Sequence, residues 1–508
     1  MKKKILKGLF FESSGQSVIK VLTIVPAILV PRALGPEKLG EYSLIIAVLG
    51  TFTVFIKIGM DKGSKRYFSE LEAIGNPGIF KRFILHIAKI RFFLILAVLF
   101  LLYFFISPLF DLLNLEFYSF LVYFIPVYLL LHSFINILEN CLQVKFKQKY
   151  INIVQVSKDL IRLFLISLLF FFGYLTLTTA LFAILFIKLV LFLFYFSKVY
   201  IIFREVSYNL TQDLKDKYID FKKRFYNYSF WSFLHRFTGY IMADQSDYYF
   251  LSYFKGTGAV GIYKLASKFV KKIKTFSLPQ SAIGTMYNSA MTQAYEKHGK
   301  EVLNKYFQNK IKLGYILWLP LSIGGFVLAE ELIMVLYGES FSEAADLILL
   351  LFIFKISVAW IHSTNAILKA MDEARMLTII SLISIVNIIL NIALIPILGV
   401  YGAAVSTFVT NFLIGFINYI LINKKLVKIN FPWLEFGKIL TASLVMGAIA
   451  YSTKLLLISN INLNIYLSIV LTSGMGAAVY FLIVYYFKIV DRQYFNYLFS
   501  KVYSKLLK

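Results

Sequence analysis

Cysteine and histidine are scarce in this chain, which has one Cys and five His among 508 residues. The single Cys141 excludes an intrachain disulfide and a zinc site built on paired cysteines, so we expect no metal and no cofactor. Charged residues are also scarce, at 16%, whereas hydrophobic residues reach 59%. Soluble domains typically carry about a quarter charged residues, so the composition predicts a polytopic membrane protein. The sequence lacks the ~10-residue segments of alternating polarity that form membrane barrels, which makes all-α the expected fold class.

Long apolar runs, broken by Pro, Gly and charge clusters, predict fourteen transmembrane helices, which we call spans 1 to 14. They cover about 13–31, 42–60, 83–107, 119–142, 151–173, 176–198, 229–253, 259–285, 311–336, 343–368, 376–396, 400–422, 438–458 and 464–487. The corresponding domains are an N-lobe (1–198), a cytoplasmic connector (199–228), a C-lobe (229–422) and a final helix pair with a cytoplasmic tail (423–508).

The net charge of +26 is distributed unevenly along the chain. If the N-terminus is inside, the inner segments contain 35 Lys and Arg and the outer loops contain 3. Cytoplasmic loops are enriched in these residues, so both termini of a multi-pass protein of the cytoplasmic membrane are predicted to be inside. The basic excess then faces anionic membrane lipids, and no nucleic-acid partner is expected.

A short internal repeat relates the two halves. Setting Gly35 on Gly256 aligns two copies of the pattern G-x-x-x-x-G-x-Y-x-L at an offset of 221 residues. A second match relates Asn140-Cys141-Leu142 to Asn365-Ala366-Ile367 at an offset of 225. The two matches predict two six-helix lobes related by an internal repeat, an architecture in which transporters bind substrate between the repeats.

The segments PRALGPEKLGEYSL, SDYYFLSYFKGTGAVGIYKLASKF and YGAAVSTFVTN resemble those of the polysaccharide-export flippases of O-antigen or capsule type. Their superfamily includes the lipid II flippases and the multidrug and toxin extruders. The resemblance covers the whole chain and implies a non-enzymatic transporter. Its implied substrate is an oligosaccharide on a polyprenyl diphosphate, moved from the inner to the outer leaflet by alternating access, as an antiporter coupled to H⁺ or Na⁺. A polysaccharide polymerase and glycosyltransferases are the implied partners.

Two other functions are weighed against the flippase. A multidrug extruder of the same superfamily would more often present acidic groups to cationic drugs and usually has twelve spans. A polysaccharide polymerase or acyltransferase would need an outer catalytic loop, but the outer loops of the predicted topology reach only about a dozen residues and contain no His or Arg-rich cluster.

Lysines form a stripe in span 8. Lys264, Lys268 and Lys271 follow i, i+4, i+7 and share one helix face, flanked by Lys272. Because charge inside a membrane normally faces a cavity, these residues are predicted to bind the diphosphate. Alternatively, Lys271, Lys272 and Lys274 are the positive inner cap of a helix that ends near Pro279.

Two further cations, Lys20 in span 1 and Arg236 in span 7, complete the predicted diphosphate-binding set. Lys57 and Arg91 lie near the predicted inner surface and are interpreted as side chains that extend to the headgroups.

Carboxylates in span 7 are the candidates for ion coupling. In a hairpin centred near Gly256, residue n lies level with about 512 − n, which places Asp244 near Lys268 and Asp247 near Lys264. Structural ion pairs without a transport role are the alternative.

A polar group on spans 11 and 12 is a second set of coupling candidates. Asn387 and Asn391 share a helix face, and Thr407 follows in the next span. Their oxygens resemble the cation site of lipid II flippases, although ordinary interhelical hydrogen bonds explain them equally well.

Overall fold

A computed structural model describes residues 22–116, 118–206, 212–241, 244–276, 279–354, 356–460 and 464–487. Every regular element within these ranges is helical. The α-helices are α1 (Ile24–Lys57), α2 (Met60–Ile74), α3 (Pro77–Leu112), α4 (Leu121–Val144), α5 (Gln148–Phe171), α6 (Leu177–Phe203), α7 (Gln212–Ile241), α8 (Asp244–Phe276), α9 (Pro279–His298), α10 (Glu301–Tyr337), α11 (Glu343–Phe354), α12 (Ile356–Ala370), α13 (Ala374–Ser381), α14 (Ile385–Leu398), α15 (Val400–Lys425), α16 (Trp433–Leu455) and α17 (Ile465–Tyr486). Short 3₁₀ turns (Glu339–Phe341 and Leu382–Ser384) and a π-turn (Leu456–Asn460) join some of them.

The prediction of an all-α polytopic membrane protein is confirmed. Within the described residues, nine helical stretches are long and apolar enough to cross a membrane, counting Ile379–Leu398 across α13 and α14 as one, or ten if the bent pair α11 and α12 forms one span. The count of fourteen stays a prediction. The end of span 1 and the whole of span 2 up to Lys57 lie in α1, which is interrupted by a kink at Gly35. Spans 7 and 8 fall largely on α7 and α8, which are not among the nine.

The chain divides into two compact units, one formed by residues 1–264 and 391–400 and the other by residues 265–390 and 401–508. The predicted lobe boundaries at 198, 228 and 422 are a different division and stay a prediction.

Local sequence signals set the helix limits in the first unit. The Asn76 side chain accepts hydrogen bonds from the backbone N–H groups of Gly78 and Ile79, so α3 begins there, with a proline at its first position. Thr176 and Thr179 form a capping box that begins α6. Caps of this type contribute about 1 kcal/mol each.

The amphipathic helix α2, predicted as an inner loop, docks through one face. Tyr67, Phe68 and Leu71 are buried on that face, and the rings of Tyr67 and Phe225 meet edge-to-face at 5.6 Å. This packing holds α2 against α7.

In the second unit, the last two helices pack on α10. The Lys454 ammonium pairs with Glu331 at 2.5 Å and donates to the Val327 carbonyl at 3.0 Å. Tyr480 donates to the carbonyl of Ile316 at 2.7 Å. These contacts explain why Lys454 is tolerated within an apolar helix: its charge has a carboxylate partner.

Candidate coupling and substrate site

The two copies of the glycine pattern pack directly against each other. Gly35 and Gly256 have the same conformation, with φ of 70° and 82° and ψ of 177° and 178°, a region open to glycine. A Cβ at Gly40 would lie 1.8 Å from the Thr257 carbonyl oxygen. In the other copy, a Cβ at Gly261 would lie 1.9 Å from the carbonyl oxygen of residue 36. The contact is therefore reciprocal, and only glycine permits this approach of α1 and α8.

A group of charged and polar side chains lies just beyond the Gly35 kink of α1 and is centred on Lys38. The Lys38 ammonium lies 2.9 Å from the Glu41 carboxylate and 3.0 Å from that of Glu116. The Tyr118 hydroxyl is within hydrogen-bond distance of the same two carboxylates, at 2.8 and 2.6 Å. Hydrogen bonds from Tyr118 and Lys38 lower the pKa of Glu116, and burial together with the neighbouring carboxylates raises the pKa of Tyr118 to about 12. These contacts hold the kinked segment of α1 against the loop between α3 and α4.

The buried carboxylate of Asp247 is the centre of the candidate site. Asp247 is 2% exposed on α8, and Tyr263, on the same helix beyond Gly256, donates its hydroxyl to one carboxylate oxygen at 2.7 Å. The Asn391 side chain of α14, which is fully buried, donates to the other oxygen at 2.9 Å. Two of the predicted coupling candidates, Asp247 and Asn391, are therefore in direct contact although 144 residues separate them.

The hydrogen bonding of a carboxylate in this arrangement depends on whether it carries a proton. An ionised carboxylate only accepts hydrogen bonds, whereas a protonated one also donates. Tyr263 and Asn391 are neutral donors, and hydrogen bonds to an ionised acceptor are roughly twice as strong as those between neutral groups. Protonation of Asp247 would therefore weaken both hydrogen bonds and add a donor to the site.

The first lysine of the stripe contacts the residue that follows this carboxylate in the chain. The Lys264 ammonium is placed over the ring of Tyr248, 4.8 Å from its centroid, and Tyr248 is the neighbour of Asp247. A cation over an aromatic face is stabilised by the ring quadrupole. The contact between residues 248 and 264 has the register expected of a hairpin centred near Gly256.

The other lysines of the stripe follow on the same helix. Lys268 and Lys272 are half-buried and Lys271 is exposed, all on the continuous part of α8 that ends at Phe276. Their helical spacing keeps Lys264, Lys268 and Lys271 on one face. Their role in binding a diphosphate stays a prediction.

The second polar group is present in the other unit. The Asn387 amide nitrogen is 3.4 Å from the Thr407 hydroxyl, and the Asn387 side chain is buried. A long hydrogen bond between neutral groups matches the ordinary interhelical interpretation as well as a cation site. Among the described residues, no group of three or more His, Cys, Asp or Glu is placed to hold a metal ion.

Three predicted residues cannot be assigned a side-chain environment. Lys20 lies outside the described residues. Arg236 and Asp244 lie in α7 and at the first position of α8, but their side chains are outside what the structure describes.

The interpretation of Lys57 and Arg91 as cations that extend to the headgroups is wrong, because both belong to a buried ionic cluster in the first unit. Lys57 is 3% exposed and Arg91 is fully buried. Both bind Asp61, with N–O distances of 3.1 Å from Lys57 and 2.6 Å from Arg91. The i, i+4 spacing of Lys57 and Asp61 is the one available sequence signal, since Arg91 comes from another helix.

The same cluster extends to α4 and α6 through a histidine. The two ring nitrogens of His132 lie 3.3 Å from the Lys57 ammonium and 2.8 Å from that of Lys188. Lys57 also donates to the Asn136 amide oxygen at 3.0 Å. Five helices, α1, α2, α3, α4 and α6, thus meet around Asp61 and His132.

Solved structures define the class of fold. The chain is similar to a lipid II flippase, MurJ, in an inward closed conformation, with a TM-score of 0.71 at 15% identity over 94% of this chain and 98% of that one. It is also similar to an inward-facing multidrug resistance transporter of the MATE family, with a TM-score of 0.63 at 14% identity over 81% of this chain and 94% of that one. At these identities the likeness establishes the fold alone, which this chain shares with both transporters.

Sequence comparison then gives the family. Residues 5–282, more than half of the chain, match the family model described as "Polysaccharide biosynthesis protein", and residues 237–397 match the model described as "MatE". The chain belongs to the polysaccharide biosynthesis protein family. A protein of Haloferax volcanii named "Probable low-salt glycan biosynthesis flippase Agl15" is 24% identical over 263 residues, which is 51% of this chain and 54% of that protein. The match therefore spans about half the length of this curated relative.

Proposed function

We propose that the chain is a flippase that moves polyprenyl-diphosphate-linked oligosaccharide from the inner to the outer leaflet of the cytoplasmic membrane. Both termini are cytoplasmic in this proposal, and transport proceeds by alternating access coupled to H⁺ or Na⁺. The product then enters polysaccharide synthesis, for O-antigen or capsule, with a polymerase and glycosyltransferases as partners.

The observation that carries the proposal is the combination of lysines on the part of α8 after the Gly256 kink with a buried carboxylate network on the part before it. The family membership supports a task in polysaccharide synthesis, and the names of the Haloferax relative and of MurJ support a flippase rather than an enzyme. The residues of α8 supply what such a substrate requires: cations for a diphosphate and a titratable group for coupling.

We assign the diphosphate to the lysine stripe. Lysine is a flexible point charge without fixed geometry, which suits a phosphate group that must be released on the other side. Lys264 and Lys268 are the lysines of the stripe that follow the Gly256 kink most closely in the chain, and they are the first candidates. Arg236 and Lys20 complete the proposed set.

We assign ion coupling to Asp247 with Asn391. Loss or gain of the coupling ion changes the hydrogen bonds that Asp247 accepts from α14 and from the second half of α8. Occupancy by the ion is thereby linked to the contact between the two helices. Asp244, Asn387 and Thr407 are the remaining candidates for this role.

The match to the MatE model favours a second candidate function, export of a drug-like molecule. That function would suit a cavity rich in carboxylates, because most substrates of such extruders are cationic. The lysines of α8 favour an anionic substrate instead, so the extruder is the alternative.

Transport by variants of α8 tests the proposal. In a strain lacking the chromosomal copy, Lys264→Ala or Lys268→Ala should strongly reduce export of the polysaccharide at normal protein abundance. Lys89→Ala, at an exposed position of α3, is the matched control and should export normally. Equal and mild effects at all three positions would contradict the assignment of the stripe.

A double variant separates transport from structure at Asp247. If Asp247 and Lys264 only stabilise the fold as a pair, each single change should lower abundance and export. Asp247→Asn combined with Lys264→Gln should then restore both together. The proposal expects a double variant that is abundant and inactive. Export near the parent level would eliminate the assigned roles of these two residues.

A further inference from the structure

An apolar groove crosses the surface of the first unit, between α3 and α6. It has a volume of about 510 Å³, and its floor is formed by Phe134, Ile137 and Leu138 of α4. This volume is within the range of about 300–1,000 Å³ typical of small-molecule sites. The groove opens outwards, since Leu85 and Phe196 on its rims are each 49% exposed.

One wall of the groove is a stripe of aromatic side chains that ends in an arginine. Phe192, Phe196 and Tyr200 are spaced four residues apart on α6, and their rings stack at 5.5 and 6.2 Å. The next residue at this spacing is Arg204, immediately after the last turn of α6. Side chains four apart share a helix face, so the arginine lies at the end of the aromatic stripe.

The facing wall places a second cation at the same end. Lys81, in the second turn of α3, lines the groove together with Arg204. Its ammonium donates to the carbonyl of Val206 at 3.0 Å, which fixes this end of α3 against the end of α6. Arg204 also pairs with Glu205, but both side chains are well exposed, and exposed pairs of this kind contribute little.

The chemistry of the groove matches an amphipathic anion. Its apolar length suits a hydrocarbon chain, and its cationic end suits a phosphate. The predicted topology places Lys81 and Arg204 at the cytoplasmic surface, where basic pockets between membrane helices bind anionic headgroups. We propose that this groove binds an anionic phospholipid of the inner leaflet, with one acyl chain along the aromatic stripe and the phosphate beside Lys81 and Arg204.

A groove in the second unit serves as the matched control. It has a similar volume, about 550 Å³, and is lined mostly by apolar residues of α10, α11 and α16, including Phe326 and Ala448. No charged residue is among the described residues that line it. This groove should accept a lipid chain without preference for the headgroup.

Native mass spectrometry of the full-length protein in detergent tests the proposal. The protein is titrated with phosphatidylglycerol or with phosphatidylcholine of the same acyl chains. Each basic residue near the membrane contributes about 1 kcal/mol, so the first phosphatidylglycerol should bind on the order of 30-fold more tightly than the first phosphatidylcholine. Lys81→Gln with Arg204→Gln should reduce this preference to about twofold or less. Lys62→Gln with Lys65→Gln, which removes two exposed charges elsewhere on the predicted cytoplasmic side, should preserve it.

Filling the groove provides an independent test. Ala88→Phe adds a ring to the wall formed by α3 and should weaken binding of the first molecule of either lipid. Ala448→Phe, in the control groove, should not change the affinity for the first molecule of phosphatidylglycerol. A charge variant that behaves like the Lys62 and Lys65 control would overturn the proposal, even if Ala88→Phe failed to fold.

Competition identifies the ligand. Glycerol 3-phosphate should not displace bound phosphatidylglycerol at equal concentration, because it lacks the chain. Displacement by it would indicate a simple phosphate site and refute the lipid assignment. More effective displacement by a polyprenyl phosphate would assign the groove to the transported carrier and also refute it. None of these outcomes depends on flippase activity.

Discussion

Removing the carboxylate of Asp61 should destabilise the first unit severely. Asp61 binds two buried cations, at 3.1 Å from Lys57 and 2.6 Å from Arg91. Asp61→Asn keeps the size of the side chain but removes the negative charge that both cations face. Breaking a buried ion pair typically costs about 3–5 kcal/mol, because a charge is left in the interior without its counter-charge.

Matched variants distinguish this effect from a general loss of surface charge. Glu70 pairs with Arg224 at 2.9 Å, but both side chains are substantially exposed. Glu70→Gln should therefore cost at most about 1 kcal/mol. Adding Lys57→Met to Asp61→Asn removes one of the two cations, so the double variant should be less destabilised than the sum of the single changes, by about 0.5–3 kcal/mol.

The assay is equilibrium unfolding of the purified protein in mixed micelles, followed by circular dichroism and by size-exclusion chromatography of the same samples. We expect the free energy of unfolding to fall strongly for Asp61→Asn and slightly for Glu70→Gln. In the double variant it should partly recover. If Asp61→Asn costs no more than Glu70→Gln, the buried cluster does not hold these helices together.

Further predictions concern packing, the Asp247 network, pH and topology. Gly40→Leu should prevent folding, because its Cβ would lie 1.8 Å from a backbone carbonyl oxygen. The Cβ of Gly258→Ala would lie 3.6 Å from its nearest neighbour, so this variant should fold normally. Protein abundance in the membrane measures both outcomes. Asn391→Leu should reduce thermal stability by about 1–3 kcal/mol, since the buried Asp247 carboxylate loses a donor, and an unchanged unfolding midpoint would contradict that bond. The pKa of Glu116 is lowered in the folded protein, so its contacts contribute their full stability above the ordinary Glu pKa of about 4.3. This stability is lost as the pH falls through the pKa of Glu116 in the folded state. Glu116→Gln should therefore lower the melting temperature at pH 7 more than at pH 3. Cysteine labelling should find residues near 215, 300 and 430 inside and Leu115, Thr257 and Asn460 outside, and outside labelling near 215 would overturn the topology.

The helices are predictable because their signal is local. Apolar runs and the distribution of Lys and Arg determine where a membrane helix begins and ends, and α3, α4 and α6 follow spans 3, 4 and 6 closely. The repeated glycine pattern also corresponds to a structural feature, since Gly35 and Gly256 occupy equivalent kinks. By contrast, the amphipathic α2 is predicted as a loop, because its sequence is largely polar. Its few apolar residues are buried only by packing against the aromatic face of α7, which the local sequence does not indicate.

The contacts of the candidate site are only partly predictable. Asp247 and Asn391 stand out as polar residues within membrane spans, but their direct hydrogen bond depends on how distant segments pack. Tyr263 stands out only as part of the repeat, and no sequence signal indicates its hydrogen bond to Asp247. The cluster around Asp61 is only partly predictable for the same reason: Lys57 lies at i, i+4 from Asp61, but the other members come from α3, α4 and α6, and no sequence spacing links them to Asp61.

Reconstitution with a labelled substrate tests the central claim most directly. The purified protein is placed in liposomes that contain a fluorescent polyprenyl-diphosphate oligosaccharide, and a membrane-impermeant quencher reports the label in the outer leaflet over time. The flippase assignment predicts movement between leaflets that is much faster than in protein-free liposomes and is strongly reduced by Lys264→Ala with Lys268→Ala. Movement no faster than in protein-free liposomes, under both H⁺ and Na⁺ gradients, would contradict it.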